Sequence, residues 1–231
     1  MRGSTRRDPT GDPAGLLLGG ALEVIAPLLL RPEADRLLAV LLETVDWDRK
    51  EIQIFGRRLR SPRWTAWYGD PGACYRYSGL SLEPLPWLDP LLELRERVQE
   101  ASGGVFNGVL LNLYRDGSNS MGWHSDDEAD LGHDPLIGSL TLGAERRFLL
   151  RRRARDAGMP PETLELTPGH GTLLLMRGSL QREWKHSVPK TRRAVGPRIN
   201  LSFRKIVTLG RPRVRSFPEP HGAAPERAQR A

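Results

Sequence analysis

The chain has 231 residues, 39% of them hydrophobic, and its longest apolar candidate, Leu16 to Leu30, is broken by Gly19, Gly20, Glu23 and Pro27; this suits one globular domain with tails and argues against a membrane-embedded protein. Thirty-five lysines and arginines against 28 acids give a net charge of +7, which suits a polyanionic partner such as nucleic acid and equally suits a composition simply rich in arginine. The single cysteine, Cys74, excludes an intrachain disulfide and any zinc site built on several thiolates, fits a reducing intracellular compartment, and is expected as a small buried residue.

Residues 1–20 read as a flexible leader, since the charged start is not followed directly by the apolar stretch of a signal peptide. Residues 21–210 read as one domain, and 211–231, rich in Pro, Arg, Gly and Ala, as a poorly ordered tail. The first helix is expected from Pro32 to about Val45, with Leu37, Leu38, Leu41, Leu42 and Val45 forming its apolar stripe. Gln53 to Arg58 reads as a hairpin. Adjacent Ile54 and Phe55 point to opposite faces there, so one of them is exposed unless something covers it. A second helix is expected over Leu88 to Gln99, with Leu88, Leu91, Leu92 and Val98 inward and Gly103-Gly104 as its stop. After Val105 short apolar or alternating runs are separated by turn signals: Val109–Tyr114, Leu136–Leu142, Arg147–Leu150, Thr163–Leu166, Thr172–Met176 and Arg198–Ile206. The fold class is α+β: a β-sandwich or barrel with the N-terminal helices on one face.

Trp123-His124-Ser125-Asp126 carries the first chemical signal. On an extended segment His124 and Asp126 point the same way and can reach one metal, and His186 lies downstream in Trp184-Lys185-His186-Ser187-Val188. Two histidines and one carboxylate make the facial triad of non-haem ferrous oxygenases, with positions left open for a chelating co-substrate and dioxygen. A histidine beside an acid is also common on ordinary surfaces, and spacing alone does not separate the two. The remaining histidines, His133, His170 and His221, fall in expected loops or the tail.

Arg198-Ile-Asn200-Leu-Ser202-Phe-Arg204 alternates strictly. Arg198, Asn200, Ser202 and Arg204 share one face of a strand. If that face is inward, two arginines demand an anion, and a small dicarboxylate held bidentately supplies it. If it is outward, both are simply wet. Asn112 and Tyr114 share a face of the strand before, with Leu111 and Leu113 on the other.

Taken in order, Asn112-Leu-Tyr114-Arg-Asp-Gly, His124-Ser-Asp126-Asp127-Glu128, His186 and Arg198-x-Asn200-x-Ser202-x-Arg204 resemble the AlkB-type 2-oxoglutarate dioxygenases. The match runs from about Ile52 to Ile206, and Tyr75-Arg-Tyr77-Ser-Gly-Leu80 is similar to the nucleotide-recognition region of the animal-type branch active on duplex DNA. The resemblance implies a double-stranded β-helix (jelly-roll) core with a nucleotide-recognition hairpin. It implies His124, Asp126 and His186 as ligands of Fe(II). It implies Asn112, Tyr114, Arg198, Ser202 and Arg204, with Asn200 close by, as the holders of 2-oxoglutarate. Position 202 is Ser where the family usually has Thr, which keeps the hydroxyl. The implied reaction consumes 2-oxoglutarate and dioxygen and hydroxylates the N-alkyl group of a damaged base. The product collapses to an aldehyde and the repaired base.

The resemblance extends to the substrate. A base flipped from the duplex would stack between Tyr77 and the imidazole of His124, with Tyr75 nearby. Asp127 and Glu128 would favour the cationic lesions N1-methyladenine and N3-methylcytosine. Phe55, with Gly56, would wedge into the helix, and Arg57, Arg58, Arg60 and Arg63 would meet phosphates. The basic run Arg146 to Arg155 could hold the opposite strand or be a solvated strand end. The expected partner is DNA as a duplex with the base flipped out, with RNA or bulkier adducts as alternatives within the class and a non-catalytic nucleic-acid-binding protein as the alternative outside it. A monomer without membrane association is expected, cytoplasmic at the nucleoid in a bacterium or nuclear in a eukaryote.

Overall fold

The structure is a computed structural model that describes residues 15–49, 51–54, 57–77, 80–153 and 162–207. The expected tail at 211–231, most of the expected leader, and the wedge residues Phe55 and Gly56 lie outside these residues. In chain order, β1 (Leu16–Leu17) and β2 (Leu22–Ile25) precede α1 (Arg31–Thr44). The hairpin strands β3 (Glu51–Ile54) and β4 (Arg57–Arg60) follow, then β5 (Trp64–Gly69). A second hairpin, β6 (Tyr75–Tyr77) and β7 (Leu80–Leu82), leads to α2 (Asp89–Ser102). Beyond it come β8 (Gly108–Tyr114), β9 (Met121–His124), β10 (Ile137–Gly143), β11 (Phe148–Arg152), β12 (Thr163–Leu166) and β13 (Leu173–Met176). The short α3 (Leu180–Glu183), β14 (Trp184–Val188) and β15 (Arg198–Arg204) complete the chain.

Both long helices begin as their sequences dictate. Each has a proline in its first turn, whose missing N–H costs nothing there, and an acid in the first turn that faces the positive end of the helix dipole: Pro32 and Glu33 in α1, Pro90 and Asp89 in α2. Ala34, Leu37 and Leu41 form the buried stripe of α1, and Leu91, Leu94 and Val98 that of α2. Leu92, expected inward, is only half-buried, while Leu94 holds the core position. Gly103 ends α2 in the left-handed conformation (φ 67°), its N–H bonded to the Gln99 carbonyl at 2.8 Å.

Seven strands form the major sheet in the order β1-β2-β13-β10-β15-β8-β5, and four form the minor sheet in the order β12-β11-β14-β9, antiparallel throughout. The two sheets face each other as a jelly roll. Leu16–Leu17 pairs with Leu22–Glu23, so the leader boundary drawn at residue 20 falls inside the sheet: an apolar pair there gains a ladder partner. Strand alternation divides the major sheet cleanly. Val109, Leu111, Leu140, Ile199, Leu201 and Phe203 face α1 and α2 in one apolar cluster. From the other face, Leu110, Tyr114, Ile137, Leu174 and Met176 meet Phe148, Leu150, Trp184 and Val188 of the minor sheet. The polar residues of β8, β10 and β15 lie on this inter-sheet face. Asn200 stands opposite Asn112 on one side and Thr141 on the other, and Ser202 opposite Ser139. Cys74 is half-buried, not fully enclosed, because it sits in the turn before β6 and not on a strand face.

Among the described residues no helix is long and apolar enough to cross a membrane. Leu201 is fully buried between the helices and the sheet. Leu201→Ala is expected to cost about 2–5 kcal/mol of stability, read as a lower urea midpoint at unchanged slope.

Candidate active site

The site lies between the sheets at the open end of the minor one. β9 and β14 are neighbours, and their register sets His124 directly opposite His186. The two rings are 4.1 Å apart at their centroids. Asp126, two residues beyond His124, joins them, and the ligand atoms of His124, Asp126 and His186 all lie within 4.8 Å of one another. A register irregularity follows, between His186 and Val188, so the regular ladder ends at the histidine pair.

His124 and Asp126 are held from behind. The Nδ1 of His124 lies 3.0 Å from the Gly122 carbonyl, which can only accept. The proton therefore belongs on Nδ1, and Nε2 keeps its lone pair. Burial pushes His186 down to about 3, with the neighbouring His124 adding to the shift, so it is neutral and able to ligate at ordinary pH. Its buried Nδ1 has no hydrogen-bond partner among the described residues. The backbone N–H of Asp126 donates to Oε1 of Gln181 at 2.9 Å, and Gln181 is itself fully enclosed on α3. Burial opposes the Asp126 charge, but Arg204, 2.7 Å away, together with the two histidines outweighs it and holds the carboxyl at about 2. This ion pair is nearly dry, with side chains 4% and 3% exposed. On the Arg204 side, burial works against the guanidinium and Asp126, Tyr75 and Glu128 more than restore it, leaving its pKa raised.

The inward reading of β15 is correct. Arg198, 2% exposed, donates through Nη2 to Thr141 Oγ1 at 3.0 Å and lies over the Tyr114 ring at 5.3 Å. No carboxylate among the described residues pairs with it. Nε and Nη1 of both Arg198 and Arg204 are buried without partners. Four guanidinium donors without acceptors are costly in a dry place, and two carboxylates of a small dianion are the chemistry that satisfies them. Asn200 and Ser202 line the same cleft and are braced within it: Ser202 Oγ donates to Asn200 Oδ1 at 3.1 Å, and Asn200 Nδ2 to Ser139 Oγ at 2.9 Å.

Arg63 departs from expectation. It is 3% exposed, lines the cleft, and donates through Nε to Asn112 Oδ1 at 2.6 Å. Buried so, it cannot meet a phosphate. It fixes Asn112 so that the amide nitrogen is left to donate. A lone arginine in an arginine-rich segment carried no signal of this. Arg146 likewise leaves the surface basic run, for it is buried and donates to the carbonyls of Asp116, Asn119 and Pro189 at 3.0, 2.8 and 2.7 Å. It clips three loops together.

The expected base-recognition residues divide. Tyr75 is fully buried, packs on Trp67, and donates to Glu128 Oε1 at 2.8 Å. Burial lifts its phenol well above the usual range, against the pull of Arg204. Burial also lifts Glu128, opposed by Arg204, and its Oε2 is buried without a partner. Asp127 turns the other way, half-exposed, and pairs with Arg153 at 2.6 Å. Arg153 also reaches Ser125. Beside Tyr75, Arg76 forks onto Asp130 at 3.0 and 2.8 Å, so the β6–β7 hairpin is tied twice to the loop after β9. The side chain of Tyr77 lies outside the described residues.

The chain is similar to known proteins over most of its length. The model of the 2OG-Fe(II) oxygenase superfamily matches residues 21–204. Alpha-ketoglutarate-dependent dioxygenase alkB homolog 3 of Homo sapiens is 37% identical over 93% of this chain and 70% of its own length. DNA oxidative demethylase ALKBH2 of Mus musculus is 39% identical over 77% of each chain. Among solved structures, a 2OG-Fe(II) oxygenase family oxidoreductase from Burkholderia pseudomallei shares the fold at a TM-score of 0.53, with 16% identity over 84% of this chain and 88% of that one.

His186 sets a pH limit. An unfolded histidine takes a proton below about 6.5, while folded His186 resists until about 3. Its contribution to stability is complete above about 6.5 and is lost as pH falls toward 3. The metal-free protein should lose stability through this window, and His186→Gln should flatten the fall, as urea titrations at stepped pH would read.

Proposed function

The chain belongs to the 2OG-Fe(II) oxygenase superfamily, and on that premise we propose that it removes small alkyl groups oxidatively from ring nitrogens of damaged bases in DNA. The observation that carries the reading is the set of orphaned guanidinium donors of Arg198 and Arg204 beside the His124, Asp126 and His186 cluster. Relatives named as DNA oxidative demethylases point to DNA as the substrate class.

In this reading His124, Asp126 and His186 hold Fe(II), and Arg198, Arg204, Asn112 and Tyr114 hold 2-oxoglutarate against the wall braced by Asn200 and Ser202. Iron, 2-oxoglutarate and dioxygen together supply the oxidising power that hydroxylates the N-alkyl carbon. The protein's own part is placement and charge. Arg204 neutralises Asp126 and presents its remaining donors to a carboxylate. Arg63 holds Asn112 in one orientation. Tyr75 fixes Glu128, whose free oxygen accepts from an exocyclic amine, and the acid's charge favours a cationic methylated base over the neutral one. Asp127, paired with Arg153, serves this end by holding the loop. Tyr77 would stack on the base, and Phe55 with Gly56 would fill the gap that the flipped base leaves in a duplex.

An oligonucleotide bearing one N1-methyladenine, offered single-stranded and duplex and read by mass spectrometry, tests this. Loss of the methyl group should require both Fe(II) and 2-oxoglutarate, and His186→Ala should reduce it to background. Succinate formed without any change in the DNA would move the search to RNA or other substrates. Arg198→Ala should raise the 2-oxoglutarate concentration for half-maximal rate about ten- to a hundredfold, as expected for losing charge-assisted hydrogen bonds of ~1.5–3 kcal/mol. Phe55→Ala should slow turnover of duplex more than of single strands; equal loss on both would remove the wedge.

A further inference from the structure

The minor sheet has a second face, turned away from the cleft, and its charges are arranged at a cost. Arg151 of β11 and Lys185 of β14 stand directly opposite each other in the ladder. Their neighbours in the same register, Leu150 and His186, point inward, so Arg151 and Lys185 share the outer face. Like charges directly opposite on adjacent strands repel. Among the described residues no carboxylate pairs with either. The acid on this face, Glu165, pairs with Arg147 at 2.8 Å. Trp123 of β9 completes the patch: it precedes inward-facing His124, is 39% exposed, and carries the Arg151 guanidinium 4.5 Å from its ring centroid.

We propose that this outer face binds the nucleic-acid strand that carries the base in the cleft, with a base stacked on Trp123 and phosphates on Arg151 and Lys185. The inference rests on the nucleic-acid reading above. An exposed indole that carries one guanidinium on its ring, with a second cation across the ladder from that guanidinium and no carboxylate pairing with either among the described residues, is the chemistry of a strand platform, since every base has a π-face and every linkage a negative charge. β9 is the edge of its sheet, so a strand leaving the cleft past His124 rounds a single β-strand to arrive there. Bound phosphates relieve the Arg151–Lys185 repulsion, which no carboxylate among the described residues offsets.

The test is binding by the full chain, loaded with Mn(II) and 2-oxoglutarate, of two fluorescent ligands. One is a single strand of about twelve nucleotides with a central N1-methyladenine; the other is a trinucleotide with the same base, too short to round the edge. Trp123→Ala should weaken the longer strand by about five- to 150-fold and leave the trinucleotide unchanged. Lys185→Ser, a change on solvated surface, should lower the slope of log affinity against log salt by about 0.7 for the longer strand alone. This variant carries the test even if Trp123→Ala weakens the edge strand. Unchanged affinity and slope in both variants, with the parent protein binding well, would overturn the face and leave the demethylase reading standing. Equal losses on both ligands would also overturn it, by placing the effect in the cleft. Displacement of the strand by polyglutamate at equal charge would assign the face to an acidic protein instead. Failure of the parent protein to bind either ligand would sink both readings together.

Discussion

Arg204 and Asp126 meet where neither charge is tolerable alone. Burying a single ion costs several kcal/mol, and each of these is almost wholly enclosed. Their contact at 2.7 Å is therefore a condition of the fold as well as of the site. It joins the last strand of the major sheet to the loop that leaves the edge of the minor one, and so closes the sandwich across its polar end. From that contact follow the ionised state of Asp126, the aim of its carboxylate toward the two histidines, and the direction of Arg204's spare donors.

The period of two in the strands does the sorting that makes such a site possible. On β15 the odd-numbered side chains Ile199, Leu201 and Phe203 complete an apolar core with the helices, while the even-numbered ones turn into the space between the sheets. The same backbone thus carries stability on one face and chemistry on the other. A polar face enclosed in a sandwich would be a defect if it were not cross-braced. Here Asn200, Ser202 and Ser139 satisfy one another and Thr141 accepts from Arg198, while further donors of Arg198 and Arg204 remain unsatisfied among the described residues.

What was legible in the sequence was periodic or spaced. The alternation of Arg198 to Arg204 put its four polar residues on one face, whose burial the structure supplied, and the helical stripes placed both helices to within a residue or two at the start. His124 and Asp126 were readable as a pair because they stand two residues apart, at and just past the end of one strand. That His186 joins them depends on which strands become neighbours, and sixty residues of intervening chain hide it; there a family resemblance supplied what spacing could not. Arg63 and Arg146 were misread as surface cations because a buried arginine has no local mark. Its partners are carbonyls and an amide far away in the chain, and composition had already made arginine commonplace. Phe55, Gly56 and the ring of Tyr77 fall outside the described residues, so the wedge and the stacking wall stand on the resemblance.

The pairing of His124 with His186 has a consequence for the edge strand. Among the described residues β9 is held by one neighbouring strand, through a short ladder with an irregularity in it. A slip of one residue would turn His124 outward and Trp123 in, exchanging the chemistry of the two faces. An ion gripped by both histidines binds only the correct register, so by mass action it stabilises that register over every other. The metal would then serve as a rivet as well as a reagent, and an edge that is weakly tied as protein would be held in register once the site is filled.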